Sequence, residues 1–209
     1  MGLSRSPAPD ADEHEPCDVS DRAAVAAVAA GVLARHPRID LLVNNAGVGA
    51  RTGFLDGDEQ RIEQVVQTNY LGSVWCTRAF LPGLVAGSRI VNVVSIAGAV
   101  AVGPYSASKH AQLAFSRSVA VELGRRGIIV HAVLPGFVET PGFPQRSRFG
   151  PLGRRLVVDP PLVAARILDA LDHDRREIVV PRWYRPVAWA QALLPGGVTR
   201  LSIRFLARR

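Results

Sequence analysis

The sequence is poor in lysine and cysteine and contains no long apolar run. Among its 25 basic residues only Lys109 is a lysine. The two cysteines, Cys17 and Cys76, match no metal-binding or redox spacing, so we expect no metal site and two free thiols in a reducing cytoplasm. No stretch reaches the roughly 18 uninterrupted apolar residues of a membrane span. The polar residues 1–16 also lack the apolar core of a secretory signal.

Acidic residues are absent from the end of the chain. After Glu177 there is no aspartate or glutamate, which leaves a basic tail over residues 182–209. The formal net charge is +7, but no nucleic-acid motif accompanies it, so we expect no nucleic-acid partner. The tail also carries tryptophans and apolar runs, and such a segment can make weak peripheral contact with an anionic membrane. The interpretation we favour is that it folds back over a substrate pocket or packs against a second subunit.

The rest of the sequence alternates between apolar runs and helical patterns. The predicted strands are 40–43, 89–94, 128–134 and 177–180, and the predicted helices lie at 21–35, within 58–84, at 105–125 and at 160–172. Asp18 or Ser20 is the candidate N-cap of the first helix. This alternation is typical of an α/β fold with a parallel sheet covered on both faces. We expect a single domain over residues 1–209, with 1–15 disordered and 182–209 forming the basic tail.

Polar and small residues follow the predicted strands, at the edge where parallel sheets bind ligands. Tyr105 and Lys109 occupy positions i and i+4 of one helix there, so they share a face. A phenol has a pKa of about 10, and a nearby ammonium favours its ionised form. Such a tyrosine can give a proton to a carbonyl, or take one from an alcohol, while a hydride moves. Taken alone, the pair also fits a surface cation beside an aromatic ring.

Further motifs accompany this pair in a fixed order. They are Asn44-Asn45-Ala46-Gly47, Asn69-Tyr70-Leu71-Gly72, Asn92-Val93-Val94-Ser95, Tyr105-x-x-x-Lys109 and Pro135-Gly136-Phe137-Val138-Glu139-Thr140. Over about residues 16–140 the sequence resembles the short-chain dehydrogenase/reductase family. The resemblance implies a Rossmann-like, doubly wound parallel sheet and an NAD(P)-dependent oxidoreductase. It also implies a homo-oligomer that interconverts a small-molecule alcohol and a carbonyl by hydride transfer.

The resemblance assigns catalytic roles to four residues. Tyr105 corresponds to the acid/base, and Lys109 to the residue that lowers its pKa and binds the nicotinamide ribose. Ser95 corresponds to the hydroxyl that orients the substrate carbonyl. Asn69 corresponds to the asparagine that holds a proton-relay water. Two plain alternatives remain: Asn69 bonds only its own helix backbone, and Ser95 merely ends a strand.

Cofactor contacts are implied by the same resemblance. The residues concerned are Asp18 and Val19 at the adenine, Asn45, Ala46 and Gly47 on the adenosine side, and Pro135, Gly136, Val138 and Thr140 around the nicotinamide, together with Tyr105 and Lys109. The resemblance does not distinguish NAD from NADP.

Two departures from the family pattern bear on function. Ser95 and Tyr105 are ten residues apart, a few fewer than usual, so residues 96–104 must follow a shorter path. The family's glycine-rich Thr-Gly-x-x-x-Gly-x-Gly turn has no counterpart in residues 1–16. Gly47-Val48-Gly49 with Gly53 does not replace it, because residues 54–57 do not open a helix towards a phosphate.

We therefore expect a sheet that lacks the family's first β-α-β unit, a piece of roughly 30 residues. Its loss removes the pyrophosphate site, the residue that chooses between NAD and NADP, and the strand that would pair with residues 40–43. The apolar edge at 40–43 is then expected to be exposed. Two other interpretations stay open. The chain is a non-catalytic remnant that binds a partner through this edge or the tail, or the true gene start lies upstream.

Overall fold

Two parallel sheets organise the chain. A computed structural model describes residues 1–5, 11–50, 52–100, 103–140, 144–198 and 200. The strands are β1 (Gly2–Ser4), β2 (His14–Pro16), β3 (Ile39–Asn44), β4 (Leu84–Val93), β5 (Ile129–Pro135) and β6 (Glu177–Val180). β1 pairs with β2, and the other four form a second sheet in the order β3-β4-β5-β6, with every pairing parallel. The predicted α/β class with a parallel sheet is confirmed.

Helices connect the strands and cover the larger sheet. They are α1 (Arg22–Arg35), α2 (Glu59–Val66), α3 (Gly72–Phe80), α4 (Gly103–Gly124), α5 (Pro151–Arg154), α6 (Pro160–Asp172) and α7 (Arg185–Leu193). The predicted N-cap of α1 was wrong: Asp21 accepts from the backbone N–H groups of Ala23 and Ala24. Asp18 cannot take this role, because its carboxylate already bonds Ser20.

Both faces of the larger sheet are packed. On one face, Val91 of β4 and Val133 of β5 join Val163 and Leu171 of α6 in a buried cluster. On the other face, Ile90 and Val130 pack against Val119 and Leu123 of α4. Because successive strand residues point to opposite faces, adjacent positions such as Ile90 and Val91 feed different clusters. α6 therefore covers one face at β4 and β5, and α4 covers the other face.

The predicted helix within 58–84 is interrupted. α2 ends at Val66, a single π turn follows over Gln67–Leu71, and α3 begins at Gly72. π turns widen a helix by one residue and often occur at functional sites. The buried Asn69 lies in this turn. Strand β4 begins at Leu84, earlier than the predicted 89.

The expectation of disorder over residues 1–15 does not hold for the first strands. Gly2–Ser4 and His14–Pro16 pair in parallel, and the Cys17 N–H donates to the Ser4 carbonyl at 3.1 Å. Leu3 packs against the buried clusters that contain Val25 and Val32 of α1. This apolar contact gives the short strand a reason to be ordered, which its polar composition concealed.

β3 is the edge of the four-stranded sheet. Its Leu41 and Val43 side chains are 43% and 44% exposed, on the sheet face that α6 covers at β4 and β5. The predicted exposed apolar edge is therefore present. Within the described residues, Cys17 and Cys76 are both free and buried, and no helix is long and apolar enough to cross a membrane.

Candidate active site

Asn69 and Gly47 meet beside the carboxyl end of β3. The Asn69 side chain accepts from the Val48 N–H at 2.7 Å and donates to the Val48 carbonyl at 3.0 Å. It also donates to the Ser108 hydroxyl at 3.0 Å. These bonds exclude the alternative that Asn69 serves only its own helix. A Cβ at position 47 would lie 3.4 Å from Asn69 Oδ1 and 3.6 Å from Lys109 Nζ, so Gly47 adjoins both side chains.

A 3-10 turn over Ile96–Ala99 explains the short spacing between Ser95 and Tyr105. The Ser95 hydroxyl caps this turn by accepting from the Ala97 N–H at 3.1 Å. Ser106 then ties the turn to α4, since its hydroxyl bonds the Ala97 carbonyl at 2.5 Å. A Cβ at Gly98 would approach the Lys109 carbonyl to 2.7 Å, so only glycine allows this close packing.

The Ser95 side chain lies close enough to Tyr105 to act on its phenol. The shorter loop therefore does not prevent the serine from reaching the tyrosine. Burial raises the pKa of Tyr105, and the hydrogen bond to Ser95 opposes that rise. That Lys109 lowers the pKa of Tyr105 stays a prediction.

Lys109 is buried beneath the same edge. Its Nζ donates to the Val93 carbonyl at 3.0 Å and to Gln112 Oε1 at 2.8 Å, and it lies 6.0 Å from the centre of the Tyr105 ring. Burial lowers the pKa of Lys109 to about 7. Burial therefore disfavours the charged form of Lys109, whereas the two acceptors that it faces favour that form.

Gln112 and Ser73 were missed by the sequence analysis. Gln112 is completely buried and donates from Nε2 to the Ser73 hydroxyl at 2.8 Å. The available signal was its spacing, since positions i and i+3 of a helix share a face and Gln112 follows Lys109 by three residues.

The loop after β5 is held by several contacts. The Gly136 N–H donates to the Val180 carbonyl at 2.7 Å, and Val138 forms a parallel bridge with Val158. A Cβ on Gly136 would meet the Tyr184 ring at 2.3 Å, so the start of the tail packs directly on this glycine. Pro135, which ends β5, is buried, and Thr140 is half-buried at the end of the described part of this loop.

A cleft of about 840 Å³ separates the two sheets. Its lining includes Asp18, Val19 and the Asn45–Gly47 turn, with Leu3 on one side and Leu41 on the other. The Asp18 carboxylate is half-exposed and accepts from the Ser20 N–H and hydroxyl, and these bonds lower its pKa. The Val19 side chain is instead buried against Gly72, so only its backbone can face a ligand.

A dinucleotide fits the two ends of this arrangement. The half-exposed Asp18 carboxylate is an acceptor of the kind that an exocyclic amine would need, and the missing side chain of Gly47 leaves room beside Lys109. In the described residues no glycine-rich turn opens a helix at the middle of the cleft, where a pyrophosphate would need N–H donors.

A parallel α/β sheet with polar groups gathered at its carboxyl edge defines a Rossmann-like protein. A model of the family described as short chain dehydrogenase matches residues 10–149. The chain therefore belongs to the short-chain dehydrogenase family of oxidoreductases.

Individual relatives agree with this assignment. Dehydrogenase/reductase SDR family member 7B of Bos taurus is 30% identical over an alignment that covers 99% of this chain and 68% of that protein. The protein of the same name from Danio rerio is 32% identical over 80% of this chain, and 59% of its length is covered.

Solved structures share the fold. A short chain dehydrogenase from Burkholderia cenocepacia J2315, in complex with NADP, has a TM-score of 0.76 and 27% identity; the match covers 88% of this chain and 76% of that chain. A short-chain dehydrogenase from Streptomyces avermitilis has a TM-score of 0.71 and 29% identity, with 92% and 81% covered.

Proposed function

We propose that this protein is an NAD(P)-dependent oxidoreductase that interconverts an alcohol and a carbonyl. The observation that carries the proposal is that the Ser95 hydroxyl, the Tyr105 phenol and the buried Lys109 ammonium come together at one edge of the sheet. A phenol and a hydroxyl directed at one point, next to a cation, can bind and protonate a carbonyl oxygen. Family membership and the NADP-bound neighbour support the choice of cofactor.

Each residue has a defined task in carbonyl reduction. A nicotinamide cofactor, when bound, would supply the hydride that is added to the carbonyl carbon. Tyr105 gives its phenolic proton to the carbonyl oxygen, which completes the alcohol, while the Ser95 hydroxyl orients that oxygen. Lys109 stabilises the phenolate that forms, and Asn69 holds a water through which the proton is replaced. The raised pKa of Tyr105 keeps the phenol protonated at neutral pH, which is the form that can donate a proton to the carbonyl oxygen.

The cofactor is assigned to residues that line the cleft and to residues at the carboxyl edge of the sheet beside it. Lys109 and Tyr105 would bind the nicotinamide ribose, and Asp18 and the Val19 backbone the adenine. The remaining contacts are Asn45, Ala46 and Gly47 on the adenosine side and Pro135, Gly136, Val138 and Thr140 at the nicotinamide.

The proposal extends to the setting of the protein. We place it in the cytoplasm, because two free buried thiols suit a reducing compartment. We also infer a single domain over residues 1–209 with a basic tail, assembled as a homo-oligomer. The exposed apolar side chains of Leu41 and Val43, and of Trp183 and Trp189 in the tail, support an association surface. Weak peripheral membrane contact through the tail is a separate proposal.

Transfer of deuterium tests the central claim. The protein is incubated with NADPH or NADH carrying deuterium at the transferable position and with a panel of aliphatic and aromatic ketones. We expect deuterium on the carbinol carbon of at least one product, at cofactor concentrations in the millimolar range. If a folded protein transfers none from either cofactor, the oxidoreductase proposal fails and the non-catalytic binding role gains support.

A further inference from the structure

The buried Gln112 has a specific partner in the active site. Its amide orientation is determined by its neighbours, because an ammonium can only donate hydrogen bonds. The oxygen must therefore face Lys109 Nζ, at 2.8 Å, and the nitrogen must face the Ser73 hydroxyl, at 2.8 Å. Burying an amide is costly unless both ends are bonded, and here both ends are.

This side chain also links two elements of the site. Ser73 lies on α3 and donates in turn to the Asn69 carbonyl at 3.4 Å, in the π turn. Lys109 and Asn69 are thus connected through Gln112 and Ser73, in addition to their common contact with Gly47. A shift of Gln112 would move the lysine and release the turn that carries Asn69.

Gln112 is one of the two hydrogen-bond acceptors that the described residues place at the Lys109 ammonium. The groups that face Nζ are the Val93 carbonyl from β4, Gly47 and Asn69 beside β3 and the π turn, and Tyr105 on its own helix. Tyr105 is the titratable group in this set, and none of the salt bridges between described residues involves Lys109. Two of the three ammonium donors are directed to Val93 and Gln112, and the Val93 carbonyl is fixed in the sheet.

We propose that Gln112 is a positioning residue that holds the Lys109 ammonium at the active site and keeps it protonated. Its role in turnover rests on the proposed function, but its effect on the lysine does not. A neutral acceptor stabilises the charged form of its donor, so removing Oε1 favours the uncharged amine.

The absence of other lysines permits a direct measurement. Protein prepared with lysine labelled at its ε-carbon gives one side-chain NMR signal, that of Lys109. Gln112→Leu should lower the titration midpoint of this signal by about one to two pH units, the equivalent of one hydrogen bond to a charged group. Gln112→Glu, which keeps the shape and adds a negative charge, should raise the midpoint above that of the wild type.

Ser116→Ala is the matched control, because Ser116 lies on the same helix and accepts a buried hydrogen bond from Asn92 at 2.9 Å without touching Lys109. It should leave the midpoint unchanged. If Gln112→Leu fails to fold, the Gln112→Glu midpoint decides the matter alone. Midpoints in the folded Gln112 variants equal to the wild-type value would overturn the proposal. Since the titration needs neither cofactor nor turnover, failure of the dehydrogenase proposal would leave this result intact.

Discussion

The two parts of the proposed cofactor site differ in how far their side chains are buried and hydrogen-bonded. Around α4 the polar side chains of Asn69, Lys109 and Gln112 are buried and hydrogen-bonded to one another or to fixed backbone. At β3, by contrast, Leu41 and Val43 are exposed to the cleft between the sheets. We call the buried, hydrogen-bonded part around α4 the rigid end of the site, and the exposed part at β3 the open end.

The groups proposed for catalysis and the region that would determine affinity for the cofactor therefore lie in different parts of the site. The catalytic groups are held by β4, the turn after it, α4 and the π turn, none of which uses the first two strands. The pyrophosphate of a dinucleotide would depend on the open end, where no glycine-rich turn is described. We therefore expect substitutions at the rigid end to change rates, and the open end to limit cofactor binding.

Replacing the phenol should have the largest effect. Tyr105→Phe removes the proton donor and should cut the rate of carbonyl reduction by about 10²- to 10⁴-fold, the usual contribution of a general acid. The measurement is initial rate under saturating NADPH. Tyr70→Phe is the control, because Tyr70 packs edge-on against Phe115 outside the Ser95–Tyr105 pair and should keep most of the activity. Near-full activity in Tyr105→Phe would remove the tyrosine from the mechanism.

The chain should bind its cofactor weakly, because the described part of the open end offers no glycine-rich turn to the pyrophosphate. Each hydrogen bond to a charged group contributes about 1.5–3 kcal/mol, so losing two at the pyrophosphate weakens binding by about 10²- to 10⁴-fold. We expect a dissociation constant for NADPH of about 0.1 mM or weaker, followed by fluorescence of Trp75, Trp183 and Trp189. Trp75 packs beside Val19 in the same cluster, so it lies near the adenine end.

Two results bear on this interpretation. Gly47→Val would place a side chain between Asn69 and Lys109 and should abolish the residual binding. A low-micromolar dissociation constant for the unmodified chain would instead show that another segment replaces the glycine-rich turn, and the contrast between the two ends would disappear.

The rigid end should also make stability depend on pH. Lys109 titrates at about 7 in the folded protein and at about 10.4 when unfolded. Between these values the unfolded chain binds more protons, so the free energy of unfolding rises with pH. The clean window is roughly pH 7 to 8.5, because above it the raised pKa values of Cys17 and Cys76 act in the opposite direction.

Urea unfolding across this window provides the measurement. The free energy of unfolding should increase by up to about 2 kcal/mol, the limit for one proton over this range. Lys109→Met removes the titrating group and should flatten the dependence. An equally steep rise in Lys109→Met would assign the dependence to another residue.

Sequence patterns located the site better than they described its interior. Strand ends, the Tyr105–Lys109 spacing and the exposed edge at residues 40–43 were all readable, because apolar periodicity and motif order are local properties. The π turn at Asn69 could not be predicted from the sequence, since a one-residue widening leaves the helical pattern intact. The burial that raises the pKa of Tyr105 could not be predicted either, because burial depends on packing that no pair spacing reports.

The ends of the chain were harder for the same reason. Residues 2–4 form a strand because Leu3 finds an apolar cluster across the fold, which a polar segment does not reveal. In the tail, Tyr184 is buried on Gly136, whereas Trp183 and Trp189 are 58% and 62% exposed.

Substitutions in the tail should have the smallest effect, and they test whether the exposed surfaces of the protein bind a membrane. The predicted tail contains six arginines, which are Arg182, Arg185, Arg200, Arg204, Arg208 and Arg209. Exposed tryptophans beside arginines suit an anionic bilayer surface. We expect partial co-sedimentation with vesicles containing phosphatidylserine at low salt, and less at high salt because surface charges are screened.

Trp183→Ser with Trp189→Ser should reduce binding without disturbing the fold. A deletion should begin at residue 185, since removing the buried Tyr184 would also damage the loop after β5. If the intact chain stays in the supernatant at low salt, the membrane contact is wrong, and the tail is left to cover the substrate pocket or meet a second subunit.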